Sequence, residues 1–384
     1  MKNFTLLFSL ICYVALINCQ NEGVEIPEKK GPPSVSLGYL EAPAGFEITV
    51  FADSVKNARQ MTLGDTGILY VGSRREGKVY AVVDNNADFK ADSVYTIIEG
   101  LRLPNGVAYK DGALFVAEVS KIWRFDNIDK NYADSPEPVL VTDELPTEGL
   151  HGWKYIAFGP DEKLYVPIGA PCNICNQEKD NPLFATLTRM NADGSQHEIV
   201  AKGIRNTVGF TWHPETGNIW FTDNGRDWMG DDIPPCELNE ITEEGQHFGY
   251  PYLHGNGIWD PKFGEDGKPM ADKFTTPVQE LGAHVAPLGV IFYTGNMFPT
   301  AYKNRALIAE HGSWNRSEKV GYRISQVVFD DDGNPTSYEP FITGWLQGEE
   351  DIKGRPVSIL QLEDGSLLIS DDESGKIYRV TYSI

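Results

Sequence analysis

An apolar triplet recurs six times along this chain, each copy set just after a turn. The copies are Leu69-Tyr70-Val71, Leu114-Phe115-Val116, Leu164-Tyr165-Val166, Ile219-Trp220-Phe221, Ala306-Leu307-Ile308 and Leu367-Leu368-Ile369. Four follow a tight turn built on Asp-Gly or Pro-Asp/Glu: Lys110-Asp111-Gly112, Pro160-Asp161-Glu162, Pro214-Glu215-Thr216-Gly217 and Glu363-Asp364-Gly365. Most lead into a second run, as in Lys78-Val79-Tyr80-Ala81-Val82, Lys121-Ile122-Trp123-Arg124-Phe125 and Lys376-Ile377-Tyr378-Arg379-Val380. Repeats of roughly 40 to 50 residues, each made of short strands, are the signature of blades set around an axis. The expected fold class is therefore all-β: a six-bladed β-propeller with four-stranded antiparallel blades and a long inserted loop region. Such a ring carries its site at the axial mouth, on the loops between blade strands.

Aromatic residues make up 11% of the 384 residues and there are 38 glycines, which suits many short strands and tight turns. No amphipathic helix longer than about three turns is visible. The formal net charge of -22 argues against nucleic acid or an anionic membrane surface as the main partner. It also makes any cluster of arginines stand out. Phe46-Glu47-Ile48-Thr49-Val50-Phe51 alternates as a strand does and is expected to complete a blade with the run ending Arg379-Val380-Thr381-Tyr382, closing the ring without an open edge. The longest gap between triplets, Trp220 to Leu307, holds two loop-rich stretches, 224–235 and 247–283.

Residues 1–18 read as a signal peptide, with Met1-Lys2-Asn3 ahead of an apolar run from Phe4 to Ile17 that is short for a membrane span. Cys19 is read as the lipidated residue of a bacterial lipoprotein. Ordinary signal-peptidase cleavage is the alternative, because Asn18 replaces the usual small residue. Residues 19–43 then form a tether and 44–384 the propeller, so membrane contact is expected only through the lipid anchor. Export implies an oxidising compartment, in which Cys172 and Cys175 are expected to form a small local disulfide that stiffens its loop. Cys236 is left as a buried, unpaired thiol.

Three stretches exceed what a bare propeller needs. In Gly149-Leu150-His151-Gly152-Trp153-Lys154, the glycines free the backbone to approach a ligand beside a histidine. In Gly203-Ile204-Arg205-Asn206-Thr207-Val208-Gly209-Phe210, a guanidinium and an amide can together grip a ring bearing carbonyl or carboxylate oxygens. Glu310-His311-Gly312-Ser313-Trp314-Asn315-Arg316 and the later Gly354-Arg355-Pro356 place two more cations where they can converge, which favours a multiply anionic small ligand.

Several of these stretches resemble the glucose/sorbosone dehydrogenases: Gly203-Ile204-Arg205-Asn206, Thr222-Asp223-Asn224-Gly225-Arg226-Asp227, Gly230-Asp231-Asp232-Ile233-Pro234-Pro235-Cys236-Glu237-Leu238-Asn239 and His311-Gly312-Ser313-Trp314-Asn315-Arg316. The resemblance runs from about Gly45 to Val380 and is nearest to the sorbosone and pyranose dehydrogenase branch. It implies oxidation of an aldose or related sugar by a pyrroloquinoline quinone (PQQ) cofactor, with electrons passed to a quinone or soluble acceptor. No Gly-rich fingerprint opens a helix after a strand, which argues against NAD. By the same resemblance His151 is the general base and Arg205 stabilises charge developing on the quinone. Asn206 bonds the same ring edge, and Arg355 and Arg316 meet cofactor carboxylates. The loop Asn224-Gly225-Arg226 matches one where a bound Ca2+ bridges cofactor and backbone carbonyls, so Ca2+ and the carbonyls of Gly225 and Arg226 are expected together.

Three departures stand out. Cys236 replaces an aspartate found in many relatives. Leu150 replaces the carboxylate that precedes the base in the glucose-oxidising branch. His284 falls near the cofactor where that branch has a small hydroxyl residue, and is read as a cofactor contact or as an ordinary loop histidine. Two rival readings are a Ca2+-dependent lactonase propeller using axial carboxylates, and a non-catalytic propeller binding carbohydrate or protein. The sugar itself is not legible, since specificity is expected to lie between Trp228 and Ala283.

Overall fold

All six triplets are second strands of four-stranded antiparallel sheets. The computed structural model describes Met1 and residues 38–383. The remainder of the expected signal segment, Cys19 and the expected tether up to residue 37 lie outside the described residues. In blade one the strands are Ala58–Leu63, Leu69–Ser73, Val79–Val83 and Ser93–Ile98. Blade two is Gly106–Lys110, Ala113–Ala117, Ile122–Phe125 and Val139–Thr142, and blade three is Ala157–Phe158, Leu164–Ile168, Thr186–Met190 and Glu198–Lys202. Blade four is Phe210–Trp212, Ile219–Asp223, Cys236–Ile241 and Gln279–Leu281, and blade five is Pro287–Phe292, Ala306–Glu310, Arg323–Phe329 and Pro335–Ile342. Blade six is Pro356–Gln361, Leu367–Asp371 and Lys376–Tyr382, and takes its outer strand, Phe46–Ala52, from the other end of the chain.

The triplets are apolar throughout, rather than alternating, because each second strand is covered on both faces by neighbouring blades. Leu69 and Val71 pack toward blade six beside Leu368 and Ile377, while Tyr70 turns to blade two beside Val107 and Leu114. The pattern repeats around the ring. Phe115 packs into blade three, Tyr165 into blade four, Trp220 into blade five and Leu307 into blade six. Six inter-blade cores therefore replace a single central one. The turns behave as read: Asp111 and Gly112 both take positive φ (51° and 79°) between the paired Lys110 and Ala113, the geometry of a two-residue hairpin loop that favours Asp-Gly.

Ring closure rests on Phe46, which is buried at 2% exposure and meets the rings of Phe298, Tyr302, Phe341 and Tyr382 at centroid distances of 4.7–5.0 Å. Truncating it empties a site walled by two blades. Phe46→Ala is expected to lower unfolding stability by about 3–5 kcal/mol, and a denaturant midpoint equal to that of the wild type would contradict this account of closure.

The long gap after Trp220 contains the third and fourth strands of blade four. Between them lie a hairpin, Leu253–His254 with Ile258–Trp259, and the short helices Gly264–Gly267 and Lys268–Lys273. His247 bridges Lys202 of blade three and Phe274, so this excursion folds back against the ring. Among the described residues no helix is long and apolar enough to cross a membrane.

Candidate active site

Two sets of loops meet at one end of the ring: those joining second to third strands, and those leading into each first strand. Together they line a cavity of about 500 Å³. Trp153, Val208, Leu288 and Val357, contributed by four successive blades, meet across the axis as an apolar floor. Five guanidinium groups line the cavity, those of Arg59, Arg74, Arg75, Arg205 and Arg355, against three carboxylates, Asp227, Asp372 and Glu373. A cationic surplus is thus concentrated in a chain of net charge -22.

His151 stands in the turn leading into blade three, with φ of 51° and a hydrogen bond from Gly152 N to Gly149 O at 3.2 Å closing the turn. Its Nδ1 lies 2.8 Å from the carbonyl oxygen of Ala170. A carbonyl only accepts, so Nδ1 carries the proton and Nε2 keeps its lone pair toward the cavity. Burial, reinforced by the charge of Arg205, lowers the ring's pKa to about 3 against the opposing pull of the Ala170 bond. The imidazole is a neutral base over the ordinary pH range. Ala170 thereby supplies the orienting group that the sequence around Leu150 lacks. Gly169 makes room for it, since a Cβ there would fall 2.6 Å from His151 Cβ and 2.7 Å from its carbonyl oxygen.

Ala170 also ties His151 to Arg205, because its N–H donates to the Arg205 carbonyl at 2.8 Å. The Arg205 guanidinium is buried and held from three sides. Nε donates to Asn173 O (2.9 Å), Nη2 to Asn173 Oδ1 (2.8 Å) and Nη1 to Asn224 O (3.0 Å), and Asp227 lies 3.5 Å from Nη2. Asp223 fixes the backbone of this loop by accepting from the N–H of Arg205 (2.7 Å) and of Asn206 (2.6 Å). Burial lifts the Asp223 carboxyl to about 6 even against those two bonds. The side-chain oxygen of Asn206 is buried without a partner, as is the indole N–H of Trp153 on the same cavity wall. Buried polar atoms left open in this way are costly unless a ligand or water completes them.

Elsewhere on the cavity wall, Asp372 gathers two of the remaining arginines and His311. It accepts from Arg59 Nη1 at 2.9 Å and faces His311 Nε2 at 2.8 Å, with Arg74 Nη1 at 3.9 Å. Burial would raise its pKa, but His311, Arg59 and Arg74 hold it well below the usual carboxylate range. Arg355 reaches His311 Nδ1 (3.4 Å), Gly312 O (3.4 Å) and the Tyr322 hydroxyl (3.1 Å), and Arg74 lies over the Trp153 ring at 4.9 Å.

His151, Arg205, Asn206, Asn224, Gly225, His284 and Arg355 therefore converge on one cavity. Arg226 and Arg316 do not line it. Arg226 is turned away into a 2.6 Å ion pair with Asp260. Arg316 reaches back to the Asp231 carbonyl and to Asp232 Oδ1 at 3.1 Å. His284 donates from Nε2 to Gly230 O at 2.8 Å, and its Nδ1 lies 3.9 Å from Asp227. Cys172 and Cys175 are joined as a disulfide, and the loop they close presents Asn173 to Arg205. Cys236 is a buried free thiol whose pKa burial raises to about 11. Among the described residues no three His, Cys, Asp or Glu side chains are grouped as a metal site. The carbonyls of Gly225 and Arg226 accept no backbone hydrogen bond among the described residues.

The sequence reading assigned no role to Arg59, Arg74, Arg75 or His311. Repeat position would have found them: Arg59 stands at the start of a first strand, as Arg355 does, and Arg74-Arg75 follow a second strand, as His311 does.

Fold and site together define a six-bladed propeller with an arginine-rich axial cavity. The chain belongs to the glucose/sorbosone dehydrogenase family, whose model matches residues 120–379. It is 38% identical over 356 residues to an uncharacterized protein of Borreliella burgdorferi, covering 89% of this chain and 91% of that one. It is 25% identical to the pyrroloquinoline quinone-dependent pyranose dehydrogenase of Coprinopsis cinerea over 87% of this chain, which spans 53% of that enzyme's length. In structure it is similar to a Trichoderma reesei carbohydrate-active enzyme of family AA12 in its calcium form (TM-score 0.77, 21% identity, 91% of this chain and 99% of that one). The PQQ domain of the Coprinopsis pyranose dehydrogenase is similarly related (TM-score 0.75, 19% identity, 91% and 99%).

Proposed function

We propose that this protein is an exported, lipid-anchored, PQQ-dependent dehydrogenase that oxidises an aldose or related sugar at its anomeric carbon. One observation carries the reading: a neutral, oriented imidazole opens onto a cavity lined by five guanidinium groups. That wall suits a planar tricarboxylate. Arg74, Arg75 and Arg355 would pair with its carboxylates, with Arg59 adding charge behind them through Asp372, and the unpartnered Asn206 Oδ1 suits a pyrrole N–H. The carbonyl of Gly225, free of backbone hydrogen bonds among the described residues and on the cavity wall, suits a hard cation such as Ca2+, whereas Arg226 does not line the cavity. Bound there, the quinone would supply the carbonyl carbon that accepts hydride. His151 Nε2 takes the proton of the anomeric hydroxyl as hydride leaves the same carbon, and the sugar becomes a lactone. Arg205, fixed by Asn173 and Asn224, stabilises negative charge at the accepting end of the cavity. A lactonase working through axial carboxylates has no use for this arginine set, and Asp372 and Asp227 are already held by Arg59, His311 and Arg205.

The test is reconstitution of purified protein with PQQ and Ca2+, followed by dye reduction across a panel of aldoses. Saturable cofactor binding with sugar-dependent reduction supports the reading; no binding at micromolar cofactor rejects it. The Cys172–Cys175 loop offers a second check, since it carries the Asn173 clasp on Arg205. Cys172→Ser/Cys175→Ser is expected to weaken quinone affinity about tenfold, the equivalent of one charged hydrogen bond, with little change in Tm because so short a loop adds little global stability. Calorimetric titration giving wild-type affinity would refute the clasp.

A further inference from the structure

Beside the axial cavity lies a second depression of about 390 Å³, and Trp314 lines both. Its walls include Trp228, Asp231, Asn315 and Arg316. Trp228 and Trp314 are 66% and 68% exposed, and their rings meet edge-to-face with centroids 5.6 Å apart. Two bare indoles side by side at the rim of a cavity expose apolar surface that water disfavours. The conformation is also held against its own preference: Trp228 has φ of 69°, a left-handed value that is strained for a bulky side chain.

The surroundings hold it there. Trp228 N donates to Asn315 Oδ1 at 3.1 Å, His284 grips Gly230 O at 2.8 Å, and Arg316 with Ser317 N (3.1 Å to Asp231 Oδ1) pins Asp231. One polar group remains open beside the rings. Among the described residues the Asn315 amide N–H₂ makes no protein hydrogen bond, while the Asp231 carboxylate is taken up by Ser317. Two exposed indoles set at right angles, with a free amide donor at their edge, give a pyranose ring one face to stack on and a second ring to abut, while its hydroxyls reach outward.

We propose that Trp228 and Trp314 form a stacking platform for the second and later rings of an oligosaccharide whose reducing-end ring enters the axial cavity. This rests on the sugar-dehydrogenase reading above and deepens it by making the substrate an oligosaccharide. Arg316 and His284 act as positioning residues for the platform.

The probes are glucose and the glucose trisaccharides of β-1,4 and α-1,4 linkage. Tryptophan fluorescence of the purified protein is expected to change saturably with at least one trisaccharide, and affinity to fall about tenfold in Trp228→Ala and Trp314→Ala. Trp228→Phe, which keeps an aromatic face, is expected to retain most of it. In the reconstituted enzyme the trisaccharide-to-glucose ratio of kcat/KM should fall by a similar factor in Trp228→Ala. Absence of saturable trisaccharide binding in the wild type, or equal binding by both alanine variants, overturns the platform. So does a loss confined to turnover with a protein electron acceptor, which would make the pair a docking surface instead. Trisaccharide binding lost in the variants, in a protein that oxidises no sugar, would leave the platform standing and remove the dehydrogenase reading alone.

Discussion

His151→Ala is expected to lower kcat for sugar oxidation by about a hundred- to ten-thousand-fold, while quinone still binds. The reason is positional as much as chemical: the Ala170 carbonyl fixes the tautomer, leaving Nε2 as the basic atom in the cavity. Stopped-flow reduction of bound quinone separates this step from acceptor turnover, and an unchanged rate would remove His151 from the mechanism. The pH behaviour is a second readout. With the folded-state pKa near 3 rather than the usual 6.5 or so, the ring does not gain its proton in the neutral range. The free-enzyme kcat/KM profile should show no limb near pH 6.5 from this residue. Linkage has the matching sign. Between about pH 6.5 and pH 3 the unfolded chain binds a proton at His151 that the folded chain refuses, so stability falls as pH drops through that window. His151→Ala should therefore lose less Tm than the wild type between pH 7 and pH 5.

Arg205→Ala is expected to abolish saturable quinone binding at micromolar concentration. It should also destabilise the site loops, because Asn173 and Asn224 lose the donors that satisfy them, at about 1–3 kcal/mol for each buried acceptor left open. Arg205→Lys separates charge from geometry. An ammonium keeps the positive charge but cannot fork between Asn173 and Asn224, so it should restore part of the stability and little of the affinity. Near-UV circular dichroism confirms that each variant is folded. Quinone affinity matching the wild type in a folded Arg205→Ala protein would refute the role assigned to this side chain.

The ring was legible because blade cores obey a simple rule. A strand covered on both faces must be apolar at every position, so Leu69-Tyr70-Val71 and its five counterparts announce themselves in one dimension. The closing strand was equally visible, since Phe46-Glu47-Ile48 alternates and lacks a partner nearby in sequence. The cavity was legible only in part. His151, Arg205 and Arg355 occupy recurring loop positions, but a loop position does not say which way a long side chain leaves the backbone. Arg226 and Arg316 sit in the expected loops and find Asp260, Asp231 and Asp232. Arg59, Arg74 and Arg75 belong to a blade whose loops carry no other unusual feature, so only their place in the repeat marks them, and the folded ring brings them into the cavity with His151. The group that orients His151 is a backbone carbonyl, and backbone carbonyls leave no mark in a sequence.

The apolar floor formed by Trp153, Val208, Leu288 and Val357 has a kinetic consequence. Trp153, Val208 and Leu288 of this cluster also line the cavity and back it on that side, leaving the loop face as the entrance. On the dehydrogenase reading proposed above, sugar, lactone and electron acceptor would share that entrance. Reduction and reoxidation become separate half-reactions, and double-reciprocal plots at several acceptor concentrations should run parallel.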